Sequence, residues 1–251
     1  SYGSIPRLKF MHLAGNHLTG PIPNELGFLN QLEHMEVGYN GYSGGLPSHL
    51  GNLANLVYLD ISTANLSGEI PAELGNLTKI ETVLLFRNRF TGAIPESLAQ
   101  LTSLKILDLS DNNLTGTIPV SFSGLKEITQ LQLMGNNLTG EIPQGIGELP
   151  GLEILGLWNN SLTGILPQKL GSNAKLQKLD VSSNSLSGPI PPSLCLSNSL
   201  VKLILFSNQF VGELPSSLAN CTALNRVRLQ NNQLNGSIPS GFGFLPNFTF
   251  M

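Results

Sequence analysis

Two arginines, Arg226 and Arg228, lie two residues apart in the segment LNRVRL, which alternates apolar and polar residues. Side chains at positions i and i+2 of a β-strand point to the same face, so both guanidinium groups are expected on one surface. A guanidinium stays charged in proteins, and its planar fork of N–H groups matches the two oxygens of a carboxylate. No carboxylate stands at the equivalent positions of the preceding segment, which hold Lys202 and Ile204. The pair is therefore predicted to bind the carboxylate of a ligand.

Other residue types that could do chemistry lack the spacing that chemistry requires. Asp108 and Ser110 could be two members of a catalytic triad, but the nearest histidine of the same predicted surface, His34, is three strands away, about 14 Å. His12, His34 and Glu36 have metal-ligand side chains but no supporting cysteine or fourth ligand, so a polar rim is favoured over zinc. The glycines recur at a fixed period and form no phosphate-binding loop. We therefore expect no catalytic residue, no metal and no cofactor.

An apolar repeat with a period of 24 residues runs along the chain and positions these side chains. The frame is L-x-x-L-x-L-x-x-N-x-L-x-G-x-I-P-x-x-L-G-x-L-x-x, as in LKILDLSDNNLTGTIPVSFSGLKE. Its leading residues are Leu8, Leu32, Leu56, Ile80, Leu104, Ile128, Leu152, Leu176, Leu200, Leu224 and Phe248. Residues 8–247 form ten repeats, residues 1–7 with Tyr2 and Ile5 belong to a partial repeat, and residues 248–251 start the next one. The period predicts a single leucine-rich-repeat solenoid over residues 1–251.

Each repeat is predicted to contain one short strand and one irregular return. The L-x-x-L-x-L segment alternates after its first turn, which is typical of a strand that buries its leucines. Successive strands are expected to form one parallel β-sheet on the concave face of a curved, superhelical solenoid. The Gly and the Ile-Pro or Leu-Pro pair favour short extended and 3₁₀ segments on the convex side. Counted from the leading residue as zero, positions +2, +4, +6 and +7 point outward from the sheet, and we call this surface the strand face.

An asparagine recurs at position +8, where the chain turns away from the sheet. The members of this asparagine ladder are Asn16, Asn40, Asn88, Asn112, Asn136, Asn160, Asn184, Asn208 and Asn232. An amide side chain there can satisfy backbone groups that the turn would otherwise leave unpaired inside the stack, so we interpret the ladder as structural. Ala64 is its one gap.

Composition excludes several classes of protein. A net charge of −3 with 12% charged residues lacks the basic excess of a nucleic-acid binder. A hydrophobic content of 41% is too high for a disordered chain. No apolar run approaches the roughly 18 residues of a membrane span, and no basic-then-apolar leader opens the sequence. Membrane attachment is therefore expected only through segments missing from this sequence.

The strand face is predicted to be a binding surface with aromatic anchors. Its large apolar and aromatic members are Tyr58, Leu84, Phe86, Ile154, Trp158, Ile204 and Phe206. So many such side chains in water are more than solubility favours, and aromatic residues often dominate the energy of an interface.

The charges of the strand face are segregated along the sequence. Glu36, Asp60, Asp108 and Asp111 lie in its first half, and Lys178, Lys202, Arg226 and Arg228 lie in its second half. Lys178, Lys202 and Arg226 share position +2 and should stack about 4.8 Å apart, which costs on the order of 1 kcal/mol per contact. A bound anion would relieve this repulsion, although a solvated basic patch with splayed side chains would also fit the lysines.

Longer strings resemble a known protein family. The L-x-G-x-I-P signature is similar to the plant-specific class of leucine-rich repeats, found in the extracellular domains of receptor-like kinases. The strings GFLNQLEHMEVGYN, GELPGLEILGLWNN, LPQKLGSNAKLQKLDVSSN and SLVKLILFSN resemble the peptide-hormone receptors of that group. Within it, the resemblance is greatest to receptors of the tracheary element differentiation inhibitory factor, a secreted CLE-type dodecapeptide. The sequence lacks both cysteine-bearing caps, the membrane span and the kinase of such receptors.

The resemblance implies a receptor fragment on the extracellular side of the plasma membrane. The fragment would not be an enzyme, although the intact protein would carry a separate cytoplasmic Ser/Thr kinase domain. In such receptors an Arg-x-Arg motif that matches Arg226 and Arg228 holds the C-terminal carboxylate of the peptide, and contacts are implied for Asp60, Asp108, Ser110 and Trp158. With the anchors and the lysines, the predicted peptide-contact set is Tyr58, Asp60, Phe86, Asp108, Ser110, Trp158, Lys178 and Lys202. A co-receptor kinase ectodomain is implied as a second partner, docking mostly beyond this fragment.

Strand spacing agrees with a peptide of this length. Eight strand spacings separate the second repeat from the tenth, roughly 38 Å, which an extended chain covers in about 12 residues. The carboxylates of the early repeats are expected to attract the amino end of the peptide.

Sequons and cysteines suit an extracellular protein. The candidate N-glycosylation sites are Asn65, Asn76, Asn113, Asn137, Asn159, Asn220, Asn235 and Asn247, several of which arise from the repeat itself. Cys195 and Cys221 are 26 residues apart, two more than the period, so they should sit diagonally on adjacent coils. Either a disulfide in an oxidising compartment or two buried thiols would fit this placement.

Two other functions remain open on the sequence. The first is a secreted inhibitor of a microbial wall-degrading enzyme, similar to polygalacturonase-inhibiting proteins, which share the repeat but carry capping cysteines. The second is an immune receptor that binds a microbial protein or peptide without needing its C-terminus.

Overall fold

A computed structural model describes residues 7–247 of the chain. The chain divides into two compact units, Ser1–Ile128 and Thr129–Met251. The predictions for Tyr2, Ile5 and residues 248–251 lie outside the described residues. Whether the chain acts as a single domain stays a prediction.

The predicted strands are present in the first unit. They are Phe10–His12, His34–Glu36, Tyr58–Asp60, Thr82–Leu84 and Ile106–Asp108. Each pairs in parallel with the next, and each residue lies beside the residue 24 positions later in the chain, as His34 does beside Tyr58. The middle residue of each strand points inward, so Met35 and Leu59 are fully buried while their neighbours are partly exposed. The alternation that predicted the strands therefore also sets which side chains reach the strand face.

The second unit repeats this arrangement. Its strands are Gln130–Gln132, Ile154–Gly156, Lys178–Asp180, Lys202–Ile204 and Arg226–Arg228. They also pair in parallel and in the 24-residue register. The parallel sheet and the repeats confirm the predicted leucine-rich-repeat fold.

Short extended segments and 3₁₀ turns complete the repeats, as predicted. The further paired strands are Thr19–Gly20, Gly41–Tyr42, Ser67–Glu69, Arg89–Thr91, Thr139–Glu141, Ser161–Thr163, Ser187–Gly188, Gln209–Gly212 and Gln233–Leu234. The 3₁₀ segments are Asn24–Phe28, Ser48–Asn52, Ala72–Asn76, Glu96–Gln100, Val120–Gly124, Gln144–Glu148, Pro192–Cys195, Ser216–Asn220 and Phe242–Phe244. No described helix is long and apolar enough to cross a membrane.

Proline and glycine shape these returns. Pro47 sits directly before one 3₁₀ segment at φ −65° and ψ 129°, the extended backbone that a proline ring favours. Gly51 lies within the same segment, where an added Cβ would collide with the backbone carbonyl of Glu73 in the next repeat. The glycine of the L-G pair is therefore required by the close stacking of successive coils.

The asparagine ladder connects each coil to the one before it. The Asn112 amide donates to the carbonyls of Leu109 and Ser110 in its own turn and to Leu85 of the preceding repeat, each at 3.1 Å. Its Oδ1 accepts the backbone N–H of Phe90 at 3.0 Å. The same pattern recurs in both units, for example at Asn88 and Asn208. These bonds support the structural interpretation of the ladder, because they pair backbone groups that the turn places inside the stack.

A disulfide lies where the regular pattern fails. After Ile165, turns replace the 3₁₀ segment of the repeat that begins at Leu152. Asn173 takes the place of a core leucine in this repeat, and its amide donates to the carbonyls of Leu149 and Leu152. In the next repeats Cys195 and Cys221 are bonded, with their Cα atoms 5.6 Å apart. The structure thus has the bridge, and not the two thiols, of the alternatives open on the sequence.

We expect Asn208→Ala to lower the free energy of unfolding by about 3 kcal/mol, because buried carbonyl and N–H groups lose their partners. The neighbouring Gln209→Ala is a matched control on an exposed side chain and should change the stability by less than about 0.5 kcal/mol. Urea denaturation of both variants measures the difference. Equal effects would contradict a structural role for the ladder.

Removing the Cys195–Cys221 bridge, which closes a loop of 26 residues, should lower stability by about 3 to 4 kcal/mol through the entropy of the unfolded chain. The measurement is urea denaturation of the wild type and of the Cys195→Ser, Cys221→Ser variant, each with and without reductant. Reductant should destabilise the wild type and leave the double variant unchanged. A wild type that is insensitive to complete reduction would refute the expectation.

Candidate functional site

A basic cavity of about 380 Å³ opens on the strand face of the second unit. It is lined by Trp158, Lys178, Asp180, Ser182, Lys202, Ile204, Phe206, Arg226 and Arg228. The predicted contact residues Trp158, Lys178 and Lys202 are thus brought together with the arginine pair. Four cations and one carboxylate line the same space.

The strand register creates this concentration of charge. Lys178 lies beside Lys202 and Lys202 beside Arg226, each pair in parallel register. Neighbouring strands are about 4.8 Å apart, so the predicted column of like charges is present. Lys202 and Arg226 are exposed, whereas Lys178 is half-buried. An anion within the cavity would reduce the repulsion along this column.

Phe206 orients one of the two arginines. The Arg228 guanidinium carbon lies 4.3 Å from the centre of the Phe206 ring, a cation–π contact. Such a contact holds the planar guanidinium while its edge N–H groups stay available to an acceptor. Sequence analysis placed Phe206 on this face but did not find this role. The signal was the arginine at position +4 next to an aromatic residue at +6 of the preceding repeat.

Asp180 is a site residue that the sequence analysis did not select. Its Oδ1 accepts hydrogen bonds from the Ser182 hydroxyl at 2.7 Å and the Ser182 backbone N–H at 3.3 Å. Ile204 separates Asp180 from Arg228 in the register of the sheet. Ser182 therefore engages Oδ1 of this carboxylate, and the four cations of the cavity outweigh its single negative charge.

The same Asp-x-Ser arrangement occurs twice in the first unit. The Ser62 hydroxyl donates to Asp60 and the Ser110 hydroxyl donates to Asp108, each at 2.5 Å. Asp108 and Ser110 are only 8% and 3% exposed. Burial raises the pKa of Asp108, the hydrogen bonds from Ser110 lower it, and the charge of Asp111 raises it. The two residues chosen as peptide contacts thus also bond to each other within the strand face.

An aromatic row crosses the first three strands of the first unit. The rings of Phe10 and His34 stack with centres 5.1 Å apart, and those of His34 and Tyr58 with centres 5.8 Å apart. Burial raises the pKa of Tyr58, and the charges of Asp60 and Glu36 raise it further. Tyr58 and Asp60 are therefore close to one another, as their assignment to one binding face requires.

Histidine and glutamate meet at the edge of this row without forming a metal centre. His12 Nδ1 lies 3.2 Å from a carboxylate oxygen of Glu36. Among the described residues no group of three or more His, Cys, Asp or Glu side chains could hold a metal ion.

The expected exposure of apolar side chains on the strand face holds for two residues and is wrong for a third. Phe86 and Trp158 are half-buried, so each still presents part of its ring to solvent. Ile204, expected in water, is only 8% exposed. It lies between Asp180 and Arg228 in the register of the sheet, and it lines the cavity together with them. Ile204 therefore forms the floor of the cavity and is not an exposed anchor.

The predicted glycosylation sites are all on the surface. Exposed side chains are found at Asn65, Asn76, Asn113, Asn137, Asn159, Asn220, Asn235 and Asn247. Asn159 follows Trp158 on the strand face, whereas Asn76 and Asn220 end 3₁₀ segments. Their glycosylation stays a prediction.

Comparison with known proteins agrees with the repeat and the sheet. A leucine rich repeat family model matches residues 78–138 and 150–210, and a second one matches residues 7–29, 55–77 and 223–245. The chain belongs to the leucine-rich-repeat family. A search of curated proteins gave no match.

Solved structures place this leucine-rich-repeat chain near plant receptors. It is 59% identical to a TDR receptor, with a TM-score of 0.98, over 99% of this chain and 43% of that chain. It is 36% identical to the Arabidopsis receptor kinase HAESA, solved with the peptide hormone IDA and the co-receptor SERK1, with a TM-score of 0.86 over 100% of this chain and 46% of that chain. These similarities confirm the resemblance to plant receptor-like kinase ectodomains.

A plant ice-binding protein shares the same repeat fold. Its identity to this leucine-rich-repeat chain is 31%, with a TM-score of 0.82, over 92% of this chain and 74% of that protein. The chain spans less than half the length of the TDR receptor and HAESA structures, at 43% and 46%.

The raised pKa of Asp108 predicts a pH-dependent stability. The folded state holds the proton at pH values where the unfolded state has lost it, so this contribution is complete below the ordinary pKa of about 4 and is lost as the pH rises through the folded value. Asp108→Asn cannot ionise, so its stability relative to the wild type should increase with pH across this window. Urea denaturation from about pH 3 to pH 7 measures the difference. Exposed Glu73→Gln is the control, and a constant difference between Asp108→Asn and the wild type would contradict the expectation.

Proposed function

We propose that this chain is the ligand-binding part of the extracellular domain of a plant receptor-like kinase. It binds a short secreted peptide hormone in extended form along the strand face, and Arg226 and Arg228 hold the C-terminal carboxylate of the peptide. The observation that carries the proposal is the cavity in which four cations and one carboxylate line the same space.

The geometry of the arginine pair supports a carboxylate ligand. Arg226 and Arg228 are the two outward residues of one three-residue strand, with Val227 buried between them. Arg228 is steadied by Phe206, so part of the conformational entropy that a free arginine would lose on binding is already lost. Two guanidinium forks directed at one terminal carboxylate form charge-assisted hydrogen bonds. Lys178 and Lys202 add a positive potential that attracts the same group.

A terminal carboxylate fits the position of the cavity better than an acidic side chain would. Arg226 and Arg228 follow Lys178 and Lys202 in the basic half of the strand face. Carboxylates occupy the strand face of the early repeats at Glu36 and Asp60. A peptide with its ammonium end toward the acidic half and its carboxylate toward the arginine pair matches this order of charges.

The similar structures support a peptide as the ligand. HAESA was solved with a peptide hormone and the co-receptor SERK1, and this chain is 59% identical to a TDR receptor over the 43% of that receptor that it covers. We extend these partners to the present chain as part of the proposal, with a CLE-type peptide of about 12 residues as ligand, the residue count following from the strand spacing. A cytoplasmic kinase domain and attachment to the plasma membrane in the intact protein belong to the same proposal.

The similarity to an ice-binding protein does not favour that activity here. A column of stacked cations beside a half-buried aromatic ring is suited to an ionic ligand with apolar groups. Ice offers neither an opposite charge nor an apolar group to this surface.

A thermodynamic cycle tests the carboxylate clamp. The ligands are the tracheary element differentiation inhibitory factor dodecapeptide as free acid and as C-terminal amide, and the proteins are the wild type and the Arg226→Ala, Arg228→Ala variant. Removing one side of a buried charge pair typically costs about 2 to 5 kcal/mol, so amidation should weaken binding to the wild type by roughly 30-fold or more. The variant should lose a similar amount with the acid and little more with the amide, because one interaction cannot be removed twice.

Isothermal titration of the four combinations closes the cycle, and exposed Lys175→Ala controls for a general loss of positive charge. Equal binding of acid and amide by the wild type would refute the clamp. Binding of a wall-degrading enzyme or a microbial protein without any peptide binding would instead favour one of the two alternative functions.

A further inference from the structure

The asparagine ladder of the first unit is interrupted at Ala64, and a cavity of about 360 Å³ lies at the interruption. Its lining residues are Asn40, Thr63, Asn65, Arg87, Asn88 and Arg89. Asn40 and Asn88 are the ladder members on either side of position 64, and Thr63 and Asn65 flank it in the chain. The cavity therefore lies beside the gap in the ladder, and Ala64 itself is fully buried.

The ladder members that border the cavity are already engaged. The Asn88 amide donates to the carbonyls of Ile61 and Leu85 at 2.8 and 3.0 Å, and its Oδ1 accepts the backbone N–H groups of Ala64 and Leu66. Asn40 donates in the same way to Val37 and Gly38. These amides hold the wall of the cavity and have little capacity left for a ligand.

Other lining groups retain unused capacity. Asn65 donates through its amide to the Tyr42 carbonyl at 2.9 Å, which leaves its second N–H for another acceptor. Thr63 Oγ1 is buried and has no hydrogen-bond partner among residues 7–247. An unpaired buried hydroxyl is unfavourable, so Thr63 Oγ1 would gain from a further hydrogen-bond partner.

Two arginines give the cavity its charge. Arg87 contacts one carboxylate, with its Nε 3.5 Å from Asp111 Oδ2, and its side chain is 66% exposed. Arg89 has no ion pair or hydrogen bond to another side chain in the part of the chain that the structure describes. Both guanidinium groups therefore retain most of their N–H donors at one polar cavity.

We propose that the Ala64 cavity is a second binding site, which takes a small oxyanion group, a carboxylate or a sulfate. Arg87 and Arg89 donate to the anion, and the free N–H of Asn65 completes the set of donors. Ala64 is required because an asparagine at this position would place an amide between Asn40 and Asn88. The site uses none of the residues of the basic cavity, so a failure of the peptide proposal would not affect it.

The sequon at Asn65 affects the design of the test. A glycan on Asn65 would stand at the rim of the cavity and could hide the site. Ser67→Ala removes the sequon while Asn65 stays in place, and the Ser67 hydroxyl makes only a 3.3 Å hydrogen bond to Gly44. All titrations are therefore made in this background.

The experiment is a titration with sodium sulfate and, separately, sodium acetate, against sodium chloride at constant ionic strength. The amide resonances of Thr63, Ala64 and Asn65 are followed by NMR. Saturable shifts with one of the anions are expected, and the anion that binds more tightly identifies the group. Arg87→Ala and Arg89→Ala should each weaken binding about tenfold, the loss of one charge-assisted hydrogen bond of about 1.4 kcal/mol.

Two further variants distinguish binding at this cavity from a nonspecific attraction of anions by positive charge. Arg7→Ala removes an exposed arginine elsewhere in the first unit and should leave the affinity unchanged. Ala64→Asn keeps both arginines, fills the ladder gap and should weaken binding at least as much as the loss of one arginine. Shifts that do not saturate, equal effects of Arg7→Ala and Arg89→Ala, or unchanged affinity in Ala64→Asn would each overturn the proposal.

Discussion

Hydrogen bonding by the asparagine ladder is the interaction on which the rest of the structure depends. In both units, ladder amides join the carbonyls of their own turn to a carbonyl of the preceding repeat, as Asn112 joins Leu109 to Leu85 and Asn208 joins Leu205 to Val181. Every turn inside the stack would otherwise hold unpaired backbone groups, at a cost of about 1 to 3 kcal/mol each. The strands pair in the same register even at the gap at Ala64, so ladder and strand pairing together make the 24-residue period of the sequence a spatial period.

That register explains why the two candidate sites exist. Residues at the same position of successive repeats are forced into adjacent places whether or not their charges agree. Lys178, Lys202 and Arg226 are stacked by the backbone against their mutual repulsion. Like charges on an irregular surface can move apart, but a residue of a solenoid strand cannot shift without breaking the pairing of the strands. Unfavourable contacts of this kind are a common mark of a surface selected for a ligand.

Departures from the repeat are equally informative. A repeat that met only structural needs would carry asparagine at position 64 and leucine at position 173. A polar cavity lies beside the ladder gap at Ala64. At position 173 the leucine is replaced by Asn173, whose amide bonds to the backbone, and the Cys195–Cys221 bridge joins the two following repeats. At position 173 hydrogen bonds to the backbone replace the contacts of a core leucine, whereas a cavity remains beside position 64.

The sequence alone determined the fold, because a strict apolar period leaves one way to bury the leucines of every repeat. It also predicted that the arginine pair and the lysine column share one face, because residues at the same position of successive repeats lie side by side on neighbouring strands. The tertiary structure decided the side-chain contacts and the burial, which the positions of the repeat do not specify. These are the stacking of Arg228 on Phe206, the bonding of Ser182 to Asp180, the burial of Ile204 and the bridge between the cysteines. The period fixes where a backbone position lies, but side-chain length, rotamer and neighbouring groups determine what that position contacts.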